Sequence, residues 1–181
     1  MTLFVVSTPI GNLEDFSFRA KNILQTVDLI AAEDKRKTLV LLARWSIEKP
    51  MIAVHEHNEK DVLEKVIGLL KSGKTIALVS DAGTPLISDP GYALVRECRA
   101  NNIVVSPIPG PCSVIAALSV AGLPTNQFSF RGFVPAKAKD RMTFLRKLSD
   151  EPFTQVFFET PHRIAITIAA MVRLMPGRDV V

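Results

Sequence analysis

Polar and charged residues collect where short β-branched runs give out. The first run ends on Ser7-Thr8-Pro9, the second on Glu33-Asp34, and the third on His55-Glu56-His57-Asn58. The fourth ends on Ser80-Asp81 and the fifth on Ser106-Pro107. Hydrophobic packing requires none of these residues. Carboxylates and imidazoles brought to one edge suit proton transfer, and an imidazole titrates near neutrality. Glu33, His55, Glu56 and His57 are therefore the candidate bases, with Glu33 and Asp34 able to form a coupled carboxylate pair. A plainer reading stands beside this one. It makes Asp34, Asn58 and Asp81 helix caps or turn formers, pairs one acid with Lys35 or Arg36, and bonds His55 to backbone.

Three loops suit a ligand. Thr8-Pro-Ile-Gly-Asn12 occupies the place of a dinucleotide glycine fingerprint but holds one glycine, and the chain contains no G-x-G-x-x-G. Bound pyrophosphate, and with it a nicotinamide-dependent oxidoreductase, is disfavoured. In Asp81-Ala-Gly-Thr-Pro85, Gly83 lets backbone come close to a ligand and Asp81 can take an ammonium or hydroxyl group. Pro109-Gly-Pro-Cys-Ser113 opens a helix, so its free N–H groups and the Ser113 hydroxyl can hold a carboxylate. The loops together fit a small zwitterionic ligand bearing a nucleoside better than a triphosphate.

The elements that must position these residues alternate strand and helix, the signature of a mostly parallel five-stranded sheet in an α/β fold. The patterning predicts strands over residues 2–7, 28–32, 51–55, 75–80 and 102–106, with helices over 16–26, 35–44, 59–72 and 91–100. The third helix carries Val62, Val66, Leu69 and Leu70 on one face, with Asn58 to cap it and Gly73 to end it. An apolar helix over 113–120 closes a first domain of residues 1–121 at Gly122-Leu-Pro124. A second domain over 122–181 begins another βα series, with strands at 128–132 and 155–159 and helices at 139–148 and 162–174. Arg178-Asp-Val-Val181 reads as the opening of a further strand, so this domain is expected to be incomplete here. Five polar strand exits in a row place a ligand crevice beyond the carboxyl ends of the first sheet.

Composition narrows the field. The 181 residues are 48% hydrophobic and 22% charged, which predicts a packed globular core. The apolar stretch of residues 111–124 includes Ser, Gly and Pro and is too short for a membrane span, and the first residues lack a basic leader, so a cytoplasmic protein is expected. Cys98 and Cys112 have no metal-ligand spacing and read as two buried thiols, and no metal is expected. The net charge of +4 permits an anionic partner. Lys35, Arg36, Lys37 and Arg44 form one basic cluster, and Lys137, Lys139, Arg141, Arg146 and Lys147 form another, with Arg146 and Lys147 read as solvated surface.

Thr8-Pro-Ile-Gly-Asn12, Ala32-Glu-Asp-Lys-Arg36, His55-Glu-His-Asn-Glu59, Ser80-Asp-Ala-Gly-Thr-Pro85 and Glu159-Thr-Pro-His-Arg163 occur in one order. In these motifs the whole chain resembles the small-subunit ribosomal RNA cytidine 2′-O-methyltransferases of the tetrapyrrole-methylase superfamily. The resemblance implies two α/β domains with S-adenosylmethionine in a cleft between them, a homodimer, and roughly a further third of chain beyond residue 181. The implied activity is 2′-O-methylation of a cytidine ribose in small-subunit ribosomal RNA or the 30S particle. Carried over, the cofactor would meet Pro9, Ile10, Gly11, Asp81, Ala82, Gly83, Thr84, Ser113 and Val114, with Phe158 closing over it. Glu33, His55 and Glu56 would do the proton chemistry, and Arg36, Asn58, Glu59, Arg131 and Arg163 would face the substrate. Two alternatives share the fold: a tetrapyrrole methyltransferase, against which the basic clusters argue, and a non-catalytic RNA-binding assembly factor, which would lack cofactor affinity.

Overall fold

The computed structural model describes residues 1–55 and 59–181, with the side chains of 59–61 outside the description. Glu56, His57 and Asn58, and with Asn58 the expected cap of the third helix, lie outside the described residues. The chain divides into two compact units, Met1–Ser113 and Val114–Val181. The helix at 113–120 therefore falls with the second unit rather than closing the first.

In the first unit the strands are β1 (Thr2–Val6), β2 (Leu29–Ala32), β3 (Met51–Ala53), β4 (Thr75–Val79) and β5 (Val104–Ile108). The helices are α1 (Phe18–Thr26), α2 (Lys35–Arg44), α3 (Glu59–Lys71) and α4 (Tyr92–Ala100). The five strands form one parallel sheet in the order β3-β2-β4-β1-β5, as the alternating pattern predicts. Right-handed crossovers then fix the layers. The chain steps from β1 to β2 to β3 in one direction, and α1 and α2 cover one face, where Ala20, Leu24, Leu41 and Leu42 pack on Val6, Ile30 and Val79. It returns from β3 to β4 to β5 in the other direction. There α3 and α4 cover the opposite face, packing Val66, Leu70, Leu94 and Cys98 on Leu3, Ile76 and Leu78.

Two boundaries differ from expectation for physical reasons. Asn102 takes a left-handed φ of 54°, so the turn continues past it and β5 starts at Val104. Pro107 does not end β5: the strand pairs only with β1, through Val5↔Pro107, and an edge strand tolerates a residue without an N–H. Elsewhere Ser17 accepts a hydrogen bond from the Ala20 N–H, moving the start of α1 to Phe18. Cys98 is buried but Cys112 is only half-buried, so the pair is not two core thiols.

The second unit contains α5 (Ser113–Val120), β6 (Phe128–Phe133), α6 (Ala138–Ser149), β7 (Thr154–Phe158) and α7 (Ile164–Leu174). β6 and β7 pair in parallel, with an irregularity between Phe130 and Phe133. Residues 178–181 form no strand, contrary to expectation. Arg178 is instead committed to the end of α6, its Nη1 donating to the carbonyls of Leu148 at 3.0 Å and Glu151 at 2.6 Å.

Gly91 caps α4 at φ +118°, where a Cβ would lie 2.6 Å from Leu78 Cδ2. Leu78 can yield somewhat, but the backbone conformation remains strained for any other residue. Gly91→Ala is expected to lower the unfolding free energy by about 2 kcal/mol, read from urea denaturation.

Candidate functional site

β4 sits between β1 and β2, and its chain departs to the opposite face from theirs. Crevices therefore open on both of its flanks at the carboxyl edge. On the β1 side the two exit loops are stitched together. Thr8 and Gly83 exchange both backbone hydrogen bonds, at 2.9 and 3.0 Å. The Thr8 hydroxyl donates to the Ser80 carbonyl at 3.2 Å. Gly83 holds φ +84°, and a Cβ there would meet Ile10 Cγ2 at 3.4 Å. The loop after β5 joins the same assembly: the Thr84 hydroxyl lies 3.0 Å from Ser7 Oγ and donates to the Pro111 carbonyl at 3.2 Å. Gly110 approaches so closely that a Cβ would stand 2.9 Å from the Ser7 Cβ. The structure thus brings Pro9, Ile10, Gly11, Asp81, Ala82, Gly83 and Thr84 into one cluster of loops, with Ser113 exposed at the start of α5.

On the β2 side the links are carboxylates. Glu33 Oε2 accepts the Asp81 N–H at 3.0 Å, and Asp81 Oδ1 accepts the Asp34 N–H at 3.1 Å. Lys37 Nζ donates to Asp81 Oδ2 at 2.7 Å, which raises its pKa. Asp34 caps α2 and forms a two-point ion pair with Arg36, whose hydrogen bonds hold the acid down at about 2. Cap and surface pair are thus both realised at Asp34, while Glu33 turns to the neighbouring strand. His55 is half-buried just past β3. The side chain of Glu59, like Glu56 and Asn58, lies outside the described residues.

Sequence reasoning missed Asp89. Burial, helped by the nearby charges of Glu33 and Asp81, pushes its carboxyl up to about 6 against a hydrogen bond with Ser80 that lowers it. Asp89 follows a helix-free loop in which Leu86 and Ser88 take positive φ angles of 74° and 65°. Those angles fold the loop back toward β4. Only the run Ser88-Asp89-Pro90-Gly91, a turn signal, marked it in the sequence.

The remaining named residues belong to the second unit. Val114 is buried, and the Phe158 ring packs edge-on against Phe130 and Phe133 at 4.9 and 5.3 Å. Arg131 is held by Gln155 and Glu151, at 3.0 and 3.1 Å. Arg163 serves the interior: it pairs with Glu159 at 2.7 Å and donates to the Thr160 hydroxyl and the Val134 carbonyl. The Glu159 side chain is 3% exposed. Burial acts to raise its pKa, but hydrogen bonds from Thr167 and the Thr160 N–H, with the charges of Arg163 and Arg141, hold it below the ordinary value. Arg141 is buried and bonded to the Ala136 carbonyl, so it leaves the basic cluster assigned to it above. Lys137, Lys139, Arg146 and Lys147 are exposed. Among the described residues no three His, Cys, Asp or Glu side chains group as a metal site requires, and no helix is long and apolar enough to cross a membrane.

An open parallel sheet with its polar loops gathered beyond its carboxyl ends, and with no dinucleotide fingerprint, has the architecture of α/β folds that bind small ligands at that edge. The model of the Tetrapyrrole (Corrin/Porphyrin) Methylases matches residues 2–181, and the chain belongs to that family. It is 57% identical over 164 residues to a Ribosomal RNA small subunit methyltransferase I of Xylella fastidiosa, covering 91% of this chain and 60% of the relative. A protein of the same name from Escherichia coli O157:H7 is 50% identical over 173 residues, covering 96% and 60%. The chain thus spans about three fifths of the length of these relatives. Among solved structures, uroporphyrin III C-methyltransferase from Thermus thermophilus matches with TM-score 0.65 at 18% identity, covering 99% of this chain and 78% of that one. Diphthine synthase matches with TM-score 0.71 at 14% identity, covering 96% and 71%. Both share the fold.

Asp89 generates a pH signature. Its folded pKa of about 6 stands above the ordinary 3.8, so its neutral form favours folding at low pH and its ionised form opposes folding above 6. Asp89→Asn is expected to be more stable than the wild type at pH 7.5. The difference should close between pH 6 and 4 in urea unfolding followed across that range.

Proposed function

We propose that this chain forms the larger part of an S-adenosylmethionine-dependent methyltransferase acting on the 2′-hydroxyl of a cytidine ribose in small-subunit ribosomal RNA. The observation that carries this reading is the identity of 50–57% with relatives named for small-subunit ribosomal RNA methylation, over more than nine tenths of the chain. The likeness to a uroporphyrin III C-methyltransferase solved with S-adenosyl homocysteine supports the choice of cofactor. The loops also fit the group chemically. Gly83 and Gly110 let the loop backbones close on one another, Ile10 offers an exposed apolar contact, and the Thr84 hydroxyl keeps a lone pair to accept with. In the longer protein, Arg36, Arg131, Lys137 and Lys139 meet RNA phosphates. The enzyme works in the cytoplasm as a homodimer on the 30S particle.

Bound S-adenosylmethionine supplies a methyl group already activated on a sulfonium. The chain's task is then to orient the ribose oxygen and remove its proton, contributing several kcal/mol through positioning and about 100- to 10,000-fold in rate through a base. The bound cofactor would release the methyl group from its sulfur to the ribose oxygen, whose proton would pass to Glu33 or His55. Glu33 is favoured because the Asp81 N–H fixes one carboxylate oxygen and so orients the other.

The test is transfer of labelled methyl from S-adenosylmethionine to 30S particles by the protein at the full length of its relatives. Glu33→Gln is expected to lower turnover at least 100-fold with cofactor affinity unchanged. Wild-type turnover in a Glu33→Gln, His55→Ala double variant would contradict the assignment of the base. Methyl transfer to porphyrinogens instead of RNA would contradict the substrate.

A further inference from the structure

The helices on the two faces of the first sheet differ in charge. α1 and α2 carry Arg19, Lys21, Lys35, Arg36, Lys37 and Arg44 and no Asp or Glu, whereas α3 and α4 interleave Glu64 and Glu97 with their cations. Packing does not account for the difference, because the inner sides of α1 and α2 are the apolar Ala20, Leu24, Leu41 and Leu42. Helix electrostatics oppose it. Lys35, Arg36 and Lys37 occupy the first turn of α2, the end at which the macrodipole disfavours cations. Arg36 and Lys37 have acid partners in Asp34 and Asp81, but their side chains are 91% and 64% exposed, and pairs so open to water contribute little.

Past the end of α2 the cations are gathered rather than spread. Lys21 Nζ lies 4.9 Å from the centroid of the Trp45 ring and the Arg44 guanidinium carbon lies 5.3 Å from it, so one half-buried indole holds two like charges. They repel each other, and an anion beside them relieves that repulsion. Apolar side chains stand exposed among the cations. Leu39 and Val40 are 56% and 65% exposed; both lie one turn after Arg36, and Val40 lies one turn before Arg44. Phe18 is 87% exposed and lies one turn before Lys21 on α1. Single-stranded nucleic acid answers both features along one chain: its phosphates meet cations, and an unstacked base offers its face to an aromatic ring.

We propose that the outer face of α1 and α2 is a docking surface for single-stranded RNA of the small-subunit particle, with Arg19, Lys21, Lys35 and Arg44 on phosphates and Phe18 stacked on an unpaired base. The inference rests on the proposed RNA substrate and adds to it the surface along which that RNA lies. α2 begins beside Glu33 and runs for 10 residues, so the docked strand extends about 15 Å outward from the proposed base.

The experiment compares three proteins at full relative length. They are the wild type, a Lys21→Gln, Lys35→Gln, Arg44→Gln variant, and a control, Lys65→Gln, Lys71→Gln, Arg99→Gln, that removes the same charge from exposed positions of α3 and α4. The probes are protein-free small-subunit ribosomal RNA, titrated by filter binding across salt concentrations, and 30S particles with labelled S-adenosylmethionine. The first variant is expected to bind RNA at least tenfold more weakly at about 0.15 M salt and to lose about 2 from the slope of log affinity against log salt, with the control little changed. On particles its KM should rise by a similar factor, with kcat and cofactor affinity unchanged. Phe18→Ala should weaken RNA binding about tenfold and leave the salt slope as it is. Equal effects of the two triple variants, wild-type affinity in Phe18→Ala, or displacement of the RNA by polyglutamate or phosphatidylserine vesicles at equal charge overturns the docking surface. Methyl transfer to the particles by the wild type then leaves the methyltransferase reading standing. Cofactor binding without methylation of the particles overturns the RNA reading itself, and the docking surface with it.

Discussion

The two backbone hydrogen bonds between Thr8 and Gly83 join the exits of adjacent strands that are 75 residues apart in the chain, and the site is organised around that joint. Parallel strands with crossovers on opposite faces diverge at their carboxyl ends, which is why a crevice forms there. Here the divergence is bridged at its base. The bridge holds Gly83 at a φ of +84°, a conformation that costs other residues about 1–3 kcal/mol. Ser7, Thr84 and Pro111 extend the stitching to β5, so three loops behave as one preformed surface. Preorganisation of this kind removes ordering cost from ligand binding.

The opposite flank of β4 is built from different chemistry for a different purpose. Glu33 and Asp81 each accept the N–H that the other strand exit leaves without a ladder partner, so the acids are satisfied by backbone and by Lys37. Carboxylates gathered so closely repel one another, and the raised pKa of Asp89 reports that repulsion together with burial. One edge of the sheet thus carries a neutral glycine-lined surface on one side of β4 and an acidic, protonatable one on the other. Under the proposed methyl transfer, the first would hold the cofactor and the second would take the proton.

Much of this was legible in the sequence because strand exits are local. The runs ending at Ser7, Ala32 and Ser80 and the punctuation at Gly83 and Gly110 identify the loops directly. The pairings between them were not legible, because they depend on the order β3-β2-β4-β1-β5, which puts β4 beside β1 and β2. Glu33 meets Asp81 only through that order, and a proline-turn aspartate such as Asp89 gives no sign of which strand end it faces. That the buried Thr38 hydroxyl lacks a partner among the described residues is a property of the packed structure. Arg141 read as part of a basic cluster and Arg163 as facing the substrate, and in the fold both lie around Glu159, whose side chain is almost fully buried.

On the proposed function, the stitched loops after β1, β4 and β5 are a cofactor surface whose shape depends on the Thr8–Gly83 joint. Calorimetric titration of the protein at full relative length with S-adenosylmethionine tests it most directly, comparing the wild type with Gly83→Ala. The account predicts saturable binding by the wild type and at least tenfold weaker binding by the variant, whose cooperative unfolding is retained. Equal affinity in the two proteins, or no binding by the wild type, would contradict it.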